Sequence, residues 1–388
     1  MQVSRRSQVD PFIVMDVMEA AAKAEASGRH IIHMEVGQPS TPAPVGARAA
    51  LASAMEEGAL GYTVALGLPE LRRGIADLYQ RWYGLTISPE RIVVTAGSSA
   101  AFLLAFTALF DAKDRVGLGL PGYPSYRQIL RALSLQDVGI ETAAAHRFQP
   151  VPSDLEGQNL DGLIVASPAN PSGTMLSRDA LADLIQACDA NGTKFISDEI
   201  YHGIQYEGRA ISALEISDDV YVINSFSKYF SMTGWRIGWM VVPEDHVRTV
   251  ERLAQNMFIC APHAAQVAAL GALSCEEETE ANLEVYKANR ALMLEELPKA
   301  GFTRIAPPDG AFYIYADVSE YTDDSLAFAS EILDDAGVAV TPGLDFDAGR
   351  GGQWLRFSYA RSTADMAEGI KRLAAYMAKR FPDHEVGA

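Results

Sequence analysis

The chain has 388 residues, 48% of them hydrophobic, and a formal net charge of −18, which is length enough for a large core and more than one domain. Such acidity argues against nucleic acid as a partner, because phosphate backbones demand clustered Lys and Arg. Cys188, Cys260 and Cys275 show neither metal-ligand spacing nor a disulfide framework, and no apolar run approaches the roughly 20 residues of a membrane span, so a metal-free cytoplasmic protein is expected.

Between residues 91 and 242, short β-rich runs alternate with amphipathic segments. Strands are expected at 91–95, 115–120, 162–166, 194–197, 220–224 and 237–242, with helices at 98–110 and 178–190. Continuous apolar strands alternating with helices predict an α/β fold whose mostly parallel sheet is covered on both faces. Ligands gather at the carboxyl ends of strands in such sheets. After about residue 243 the pattern turns to long helices, then strands at 311–318, 338–341 and 354–359, a helix near 325–336 and a closing helix at 363–379. A large domain over 46–284 is therefore expected, with a smaller α/β domain built from 1–45 and 285–388.

Chemistry-bearing residues sit just after the strands. Thr95-Ala96-Gly97-Ser98-Ser99 opens a helix whose free first-turn amides suit a phosphate, although Ser98 could simply cap that helix. In the strand-end turn Leu120-Pro121-Gly122-Tyr123, the tyrosine either stacks on an aromatic ring or fills a Pro-rich turn. Ser167-Pro168-Ala169-Asn170-Pro171-Ser172-Gly173-Thr174 is a rigid turn that holds Asn170 above a strand end, and its Asn170–Pro171 bond is expected to be cis. Asp198 ends the next strand, with Tyr201 three positions later on the same side of a helical turn. That carboxylate could face a pyridine nitrogen, or the pair could be a helix-terminal acid and a half-buried tyrosine.

The stretch from Ser225 to Gly238 carries most information. Lys228 ends an apolar run among small hydroxyl residues and precedes Arg236 by eight positions. A partly buried ammonium deprotonates easily and can form a Schiff base, while a guanidinium fork suits a phosphate. An imine-forming lysine beside a phosphate clamp describes a site for pyridoxal 5'-phosphate. Farther on, Arg356 alternates away from Leu355, Phe357 and Tyr359, poised to grip a ligand carboxylate, or else paired with a structural acid or, on an edge strand, merely solvated.

Together these motifs resemble the class I/II aminotransferases, fold-type I enzymes of the aspartate aminotransferase superfamily that use pyridoxal phosphate. The resemblance spans nearly the whole chain: Val36-Gly37-Gln38-Pro39, Gly61-Tyr62-Thr63 with Gly67 to Arg72, the Asn170 and Asp198 turns, Ser225 to Gly238, Gly310-Ala311-Phe312-Tyr313 and Arg356-Phe357-Ser358. It implies Lys228 as Schiff-base lysine and proton carrier, Asp198 as partner of the pyridine nitrogen, Tyr201 and Asn170 on the ring oxygen, and Tyr123 stacked on the ring. Phosphate would be held by Ser98, Ser99, Ser225, Arg236 and Tyr62, the last reaching across from a second subunit of a homodimer. Arg356, Asn170 and the backbone at Gly37 would grip the substrate α-carboxylate.

The implied reaction moves an amino group from an L-amino acid to a 2-oxo acid in ping-pong order, with 2-oxoglutarate the default acceptor by analogy. The segments 11–14 and 255–262 look like the family's substrate-side elements and are largely apolar, which favours a neutral apolar or aromatic donor. Two alternatives stand beside this reading: a C–S β-lyase of the same fold, and a non-catalytic regulatory protein that binds the cofactor.

Overall fold

A computed structural model describes residues 1–382; the end of the expected small domain, 383–388, lies outside them. The strands are β1 Ile32–His33, β2 Ile92–Thr95, β3 Arg115–Leu120, β4 Gln136–Glu141, β5 Gly162–Ala166, β6 Lys194–Asp198, β7 Tyr221–Ser225, β8 Gly238–Val241, β9 Arg304–Ile305, β10 Tyr313–Asp317, β11 Val338–Ala339, β12 Thr341–Pro342 and β13 Trp354–Ser358.

Seven of them form one sheet in the order β2-β8-β7-β6-β5-β3-β4, and all run parallel except β8. Side chains alternate between its faces. Val94, Leu163, Val165, Phe195, Val222 and Trp239 enter one core with Leu71 and Ile75 of the helix Pro69–Tyr83 and Leu181 and Leu184 of Arg178–Asn191. Val93, Ile164, Ile196, Ile223 and Met240 enter a second core with Phe102 and Phe106 of the helix Ser98–Leu109. Burial on both sides explains why these strands read as unbroken apolar runs. Edge strand β4 did not stand out, because half of its residues face water and its sequence, Gln136-Asp137-Val138-Gly139-Ile140-Glu141, is mixed.

The reversed strand has a positional effect. Gly238, at the start of β8, lies opposite both Thr95 and Ser225, the last residues of β2 and β7. Residues just before β8 therefore reach the same rim as residues just after the parallel strands.

A second, four-stranded sheet has the order β12-β13-β10-β9, and β1 pairs in parallel with β11. Arg356 on β13 has Tyr315 of β10 on one side and Thr341 of β12 on the other. It is thus interior and 3% exposed, which removes the solvated-edge alternative. The helix Glu276–Lys299 runs unbroken through the expected boundary at 284/285.

Candidate active site

A cavity of about 270 Å³ opens at the carboxyl rim of the large sheet and is closed on the other side by β10, β13 and the N-terminal segment. Ten of the sequence-nominated residues line it: Gly37, Ser98, Ser99, Tyr123, Asn170, Asp198, Tyr201, Lys228, Arg236 and Arg356. Two do not. Ser225 turns inward, its hydroxyl bonded to the Ile237 carbonyl at 3.0 Å and to the Ser227 hydroxyl at 2.8 Å, so Ser227 faces the cavity instead. Tyr62 lies away from the cavity and is 83% exposed.

One end of the cavity is an anion cradle. Gly97, not Ser98, is the N-cap of Ser98–Leu109, so Ser98 and Ser99 stand in a first turn whose amides have no partner within the helix. Arg236 arrives by way of the reversed strand and adopts a left-handed backbone (φ 52°), with its guanidinium donating to Thr233 O at 3.0 Å. Gly97 permits this approach: its φ is +79°, and a Cβ there would sit 2.4 Å from Arg236 Nη2. Gly97→Ala is accordingly expected to displace the Arg236 guanidinium and weaken pyridoxal phosphate binding by about tenfold or more, the scale of one charged hydrogen bond. Absorbance titration of the cofactor-free chain measures this, and unchanged affinity would refute the cradle.

The floor joins Lys228 to Asp198. The Asp198 carboxylate accepts from Tyr126 OH and from Ile200 N at 3.0 Å. Burial lifts its pKa to about 6, while those two bonds and the Lys228 charge act the other way. Lys228 is half-buried and donates to the Gly37 carbonyl. Its pKa falls to about 7, chiefly through burial and then through the charges of Arg356 and Arg236, with Asp198 opposing. A lysine held this way is a competent nucleophile and base near neutrality. Tyr201 stands in a turn after β6, not the helical turn expected, and its hydroxyl meets Tyr313 OH at 2.6 Å. Only glycine fits at 37, because a Cβ would lie 2.0 Å from that same Tyr313 oxygen.

Opposite the floor, Arg356 is sandwiched between the Tyr313 ring at 4.4 Å and the Phe346 ring at 4.8 Å. Its guanidinium donates to Asn170 Oδ1 at 2.8 Å, to Glu35 O and to Thr341 Oγ1 at 3.1 Å. Every one of these acceptors is neutral. The Nε is a buried donor with no partner among the described residues, and the guanidinium makes no direct ion pair with a carboxylate there, Asp345 acting on it only at longer range. The Asn170–Pro171 bond is cis, as are Leu120–Pro121 and Ser167–Pro168. Tyr123 packs edge-on against Tyr126 at 5.2 Å and against Phe12 at 5.8 Å.

Tyr126, Ser227 and Tyr313 were not singled out from sequence. Tyr126 follows Tyr123 by three positions at the start of the helix Pro124–Ala132, a spacing that puts both on one side. Such a clue was available; Tyr313 closes a motif that carries the family resemblance, but nothing local ties it to Tyr201, 112 residues away.

The sequence profile described as aminotransferase class I and II matches residues 29–373. The chain belongs to this family. The valine–pyruvate aminotransferase of Mycobacterium tuberculosis is 47% identical over 382 residues, 97% of this chain and 98% of that protein. A solved structure from Silicibacter pomeroyi is 68% identical, covers 98% of this chain and 100% of its own, and superposes with a TM-score of 0.94. The structure of an aminotransferase from M. tuberculosis is 46% identical, covers 98% and 100%, and gives a TM-score of 0.96.

This aminotransferase is therefore a pyridoxal-phosphate enzyme acting on amino acids and oxo acids, with the α/β architecture expected of fold-type I. Its own residues fit that cofactor: a cation, hydroxyls and helix amides for a phosphate, an amine for an aldehyde and a buried acid for a basic ring nitrogen. Nothing in the site favours the lyase or the regulatory alternative. Among the described residues no helix is long and apolar enough to cross a membrane.

Proposed function

We propose that this aminotransferase takes the amino group from a neutral aliphatic L-amino acid, valine foremost, and delivers it to a small neutral 2-oxo acid such as pyruvate. The observation that carries this reading is the cation count. Of the residues lining the cavity, Lys228, Arg236 and Arg356 are the cations, and each is already engaged, as amine, phosphate clamp and α-carboxylate grip respectively. Among the described residues no further lining cation is left for a second carboxylate on aspartate or 2-oxoglutarate. The part of the wall formed by Phe12, Val14, Met15 and Met18 is apolar. The name of the M. tuberculosis relative agrees with it.

In this reading Arg236, Ser98, Ser99 and Ser227 hold the phosphate, Tyr123 covers the ring, and Tyr201 and Asn170 bond its oxygen. Pyridoxal phosphate, when bound, supplies an electron-withdrawing ring that tolerates charge developing at the substrate α-carbon. Lys228 tethers the cofactor between turnovers and, once free, carries a proton at Nζ to and from that carbon. Arg356 with Asn170 and the Gly37 backbone orients the donor, and the acceptor then uses the same places, so the two substrates take turns in ping-pong order.

A homodimer belongs to the same proposal, as does a division into domains of 46–284 and the remainder. Tyr62 and Val64 are exposed beside exposed Ile259, and the two segments are clipped together by Thr63 N to Cys260 Sγ at 3.5 Å and by Gly61 O to His263 Nδ1 at 2.9 Å. An apolar patch of this kind suits a second copy, into whose cavity Tyr62 would reach. Three free thiols suit a reducing cytoplasm.

Purified holoenzyme should be tested with a panel of donors against pyruvate and 2-oxoglutarate. Valine with pyruvate is expected to exceed aspartate or 2-oxoglutarate pairs by about 100-fold in kcat/KM, the scale set by leaving a buried charge unpaired. Preference for the dicarboxylic substrates overturns the reading. Pyruvate and ammonia released from cystathionine without added oxo acid would instead indicate a lyase.

A further inference from the structure

We propose that Asp345, which does not line the cavity, is a positioning residue for substrate selection: its carboxylate docks the helix Ile13–Ala26 as the apolar wall that measures the donor's side chain. This rests on the apolar-donor reading above. The helix begins without a cap of its own, since Phe12 occupies the N-cap position and offers no side-chain acceptor. Its leading amides need outside partners. Asp345 supplies them from more than three hundred residues away: Oδ1 accepts from Ile13 N at 3.0 Å and Oδ2 from Val14 N at 3.2 Å. A carboxylate at a helix N-terminus is favoured by the helix dipole, and this one is 2% exposed.

The docked helix turns Val14 and Met18, four residues apart and so on one face, toward the cavity, which the more exposed Met15 also lines. Phe12 adds a second tie through its edge-on contact with Tyr123.

What makes Asp345 more than a cap is its neighbour. Phe346 carries the ring beneath the Arg356 guanidinium, and its carbonyl accepts from Gly122 N at 3.1 Å, next to Tyr123. The Asp345 carbonyl accepts from Arg127 at 3.0 Å. One dipeptide thereby fixes both the cation that holds the substrate carboxylate and the wall that meets its side chain. The span between them is the quantity that distinguishes alanine from valine or a longer donor.

Asp345→Asn preserves shape but exchanges one acceptor for a donor that would face an amide N–H. In holoenzyme, the ratio of kcat/KM for valine over alanine is expected to fall about tenfold, the scale of one or two methylenes, with alanine itself losing about twofold. Hydrogen exchange across residues 13–18 should accelerate in parallel, which reports on the wall independently of turnover. Met18→Ala should shift preference toward bulkier donors by about tenfold in the native background and by less than about threefold beside Asp345→Asn, because coupled residues are non-additive. Equal losses for valine and alanine, unchanged exchange, or a Met18→Ala shift identical in both backgrounds would each overturn the proposal. Should native enzyme prefer aspartate, the donor reading fails, while Asp345 is still judged by the ratio of that donor to alanine and by exchange.

Discussion

Lys228→Ala is expected to lower transamination by at least about 10³-fold, because it removes both the tether and the positioned base, and general-base catalysis alone is worth about 10²–10⁴-fold. The cofactor should still bind, through Arg236 and the first turn of Ser98–Leu109, but should no longer stay attached when the protein is denatured. Mass spectrometry and steady-state kinetics check both halves, and near-normal turnover would end the assignment. The same lysine predicts a pH dependence. Its amine reacts when neutral, and its pKa is about 7 against an ordinary 10.5, so covalent attachment of added cofactor should climb through about pH 7 and level off by about pH 8–9. Stability of the cofactor-free chain moves in the same direction. Below about pH 7 Lys228 is charged in both folded and unfolded chains, and the burial penalty is fully present. Between about 7 and 10.5 the unfolded chain holds more protons, so stability rises with pH across that window. Lys228→Met should remove that rise.

Asp198→Asn is expected to lower kcat by about 10²–10³-fold with little change in KM, the loss seen when one preorganised electrostatic group is removed. The substitution keeps the volume of a residue that is 4% exposed and leaves an oxygen for Ile200 N. What is lost is the charge, together with the acceptor that Tyr126 OH uses. In the proposed assignment that charge keeps a proton on the ring nitrogen of the bound cofactor, a task suited to a carboxylate that burial has made a stronger base than an ordinary one. Rapid measurement of the α-proton loss step checks this, and an unaffected step would show that Asp198 is structural.

Most of the large sheet was legible because its inner strands are buried on both faces and read as unbroken apolar runs, whereas the half-exposed edge strand β4 does not. Lys228, Asp198 and Asn170 were legible for a related reason: parallel strands bring the residues at and just beyond their carboxyl ends to one rim, which Arg236 joins because β8 runs the other way. Ser225 was nominated where Ser227 lines the cavity, since a strand's last residue and its second successor differ only in how the turn bends, which local sequence does not dictate. The buried setting of Arg356 depends on β12 and β10 flanking β13, a pairing between segments far apart. Asp345 was invisible for the same reason, its partners lying at the opposite end of the chain.

The reversal of β8 has one more consequence. Lys228 follows β7 and Arg236 precedes β8, and these strands are antiparallel neighbours, so the connection between them is one loop, residues 226–237, with both ends clamped in the sheet. That loop acts as a ruler. Its length, more than its composition, sets the interval between the amine and the phosphate clamp, and a ligand of fixed size must match it. One residue inserted between Lys228 and Arg236 should therefore be far more damaging than a similar insertion at residue 208, where the chain turns in open space.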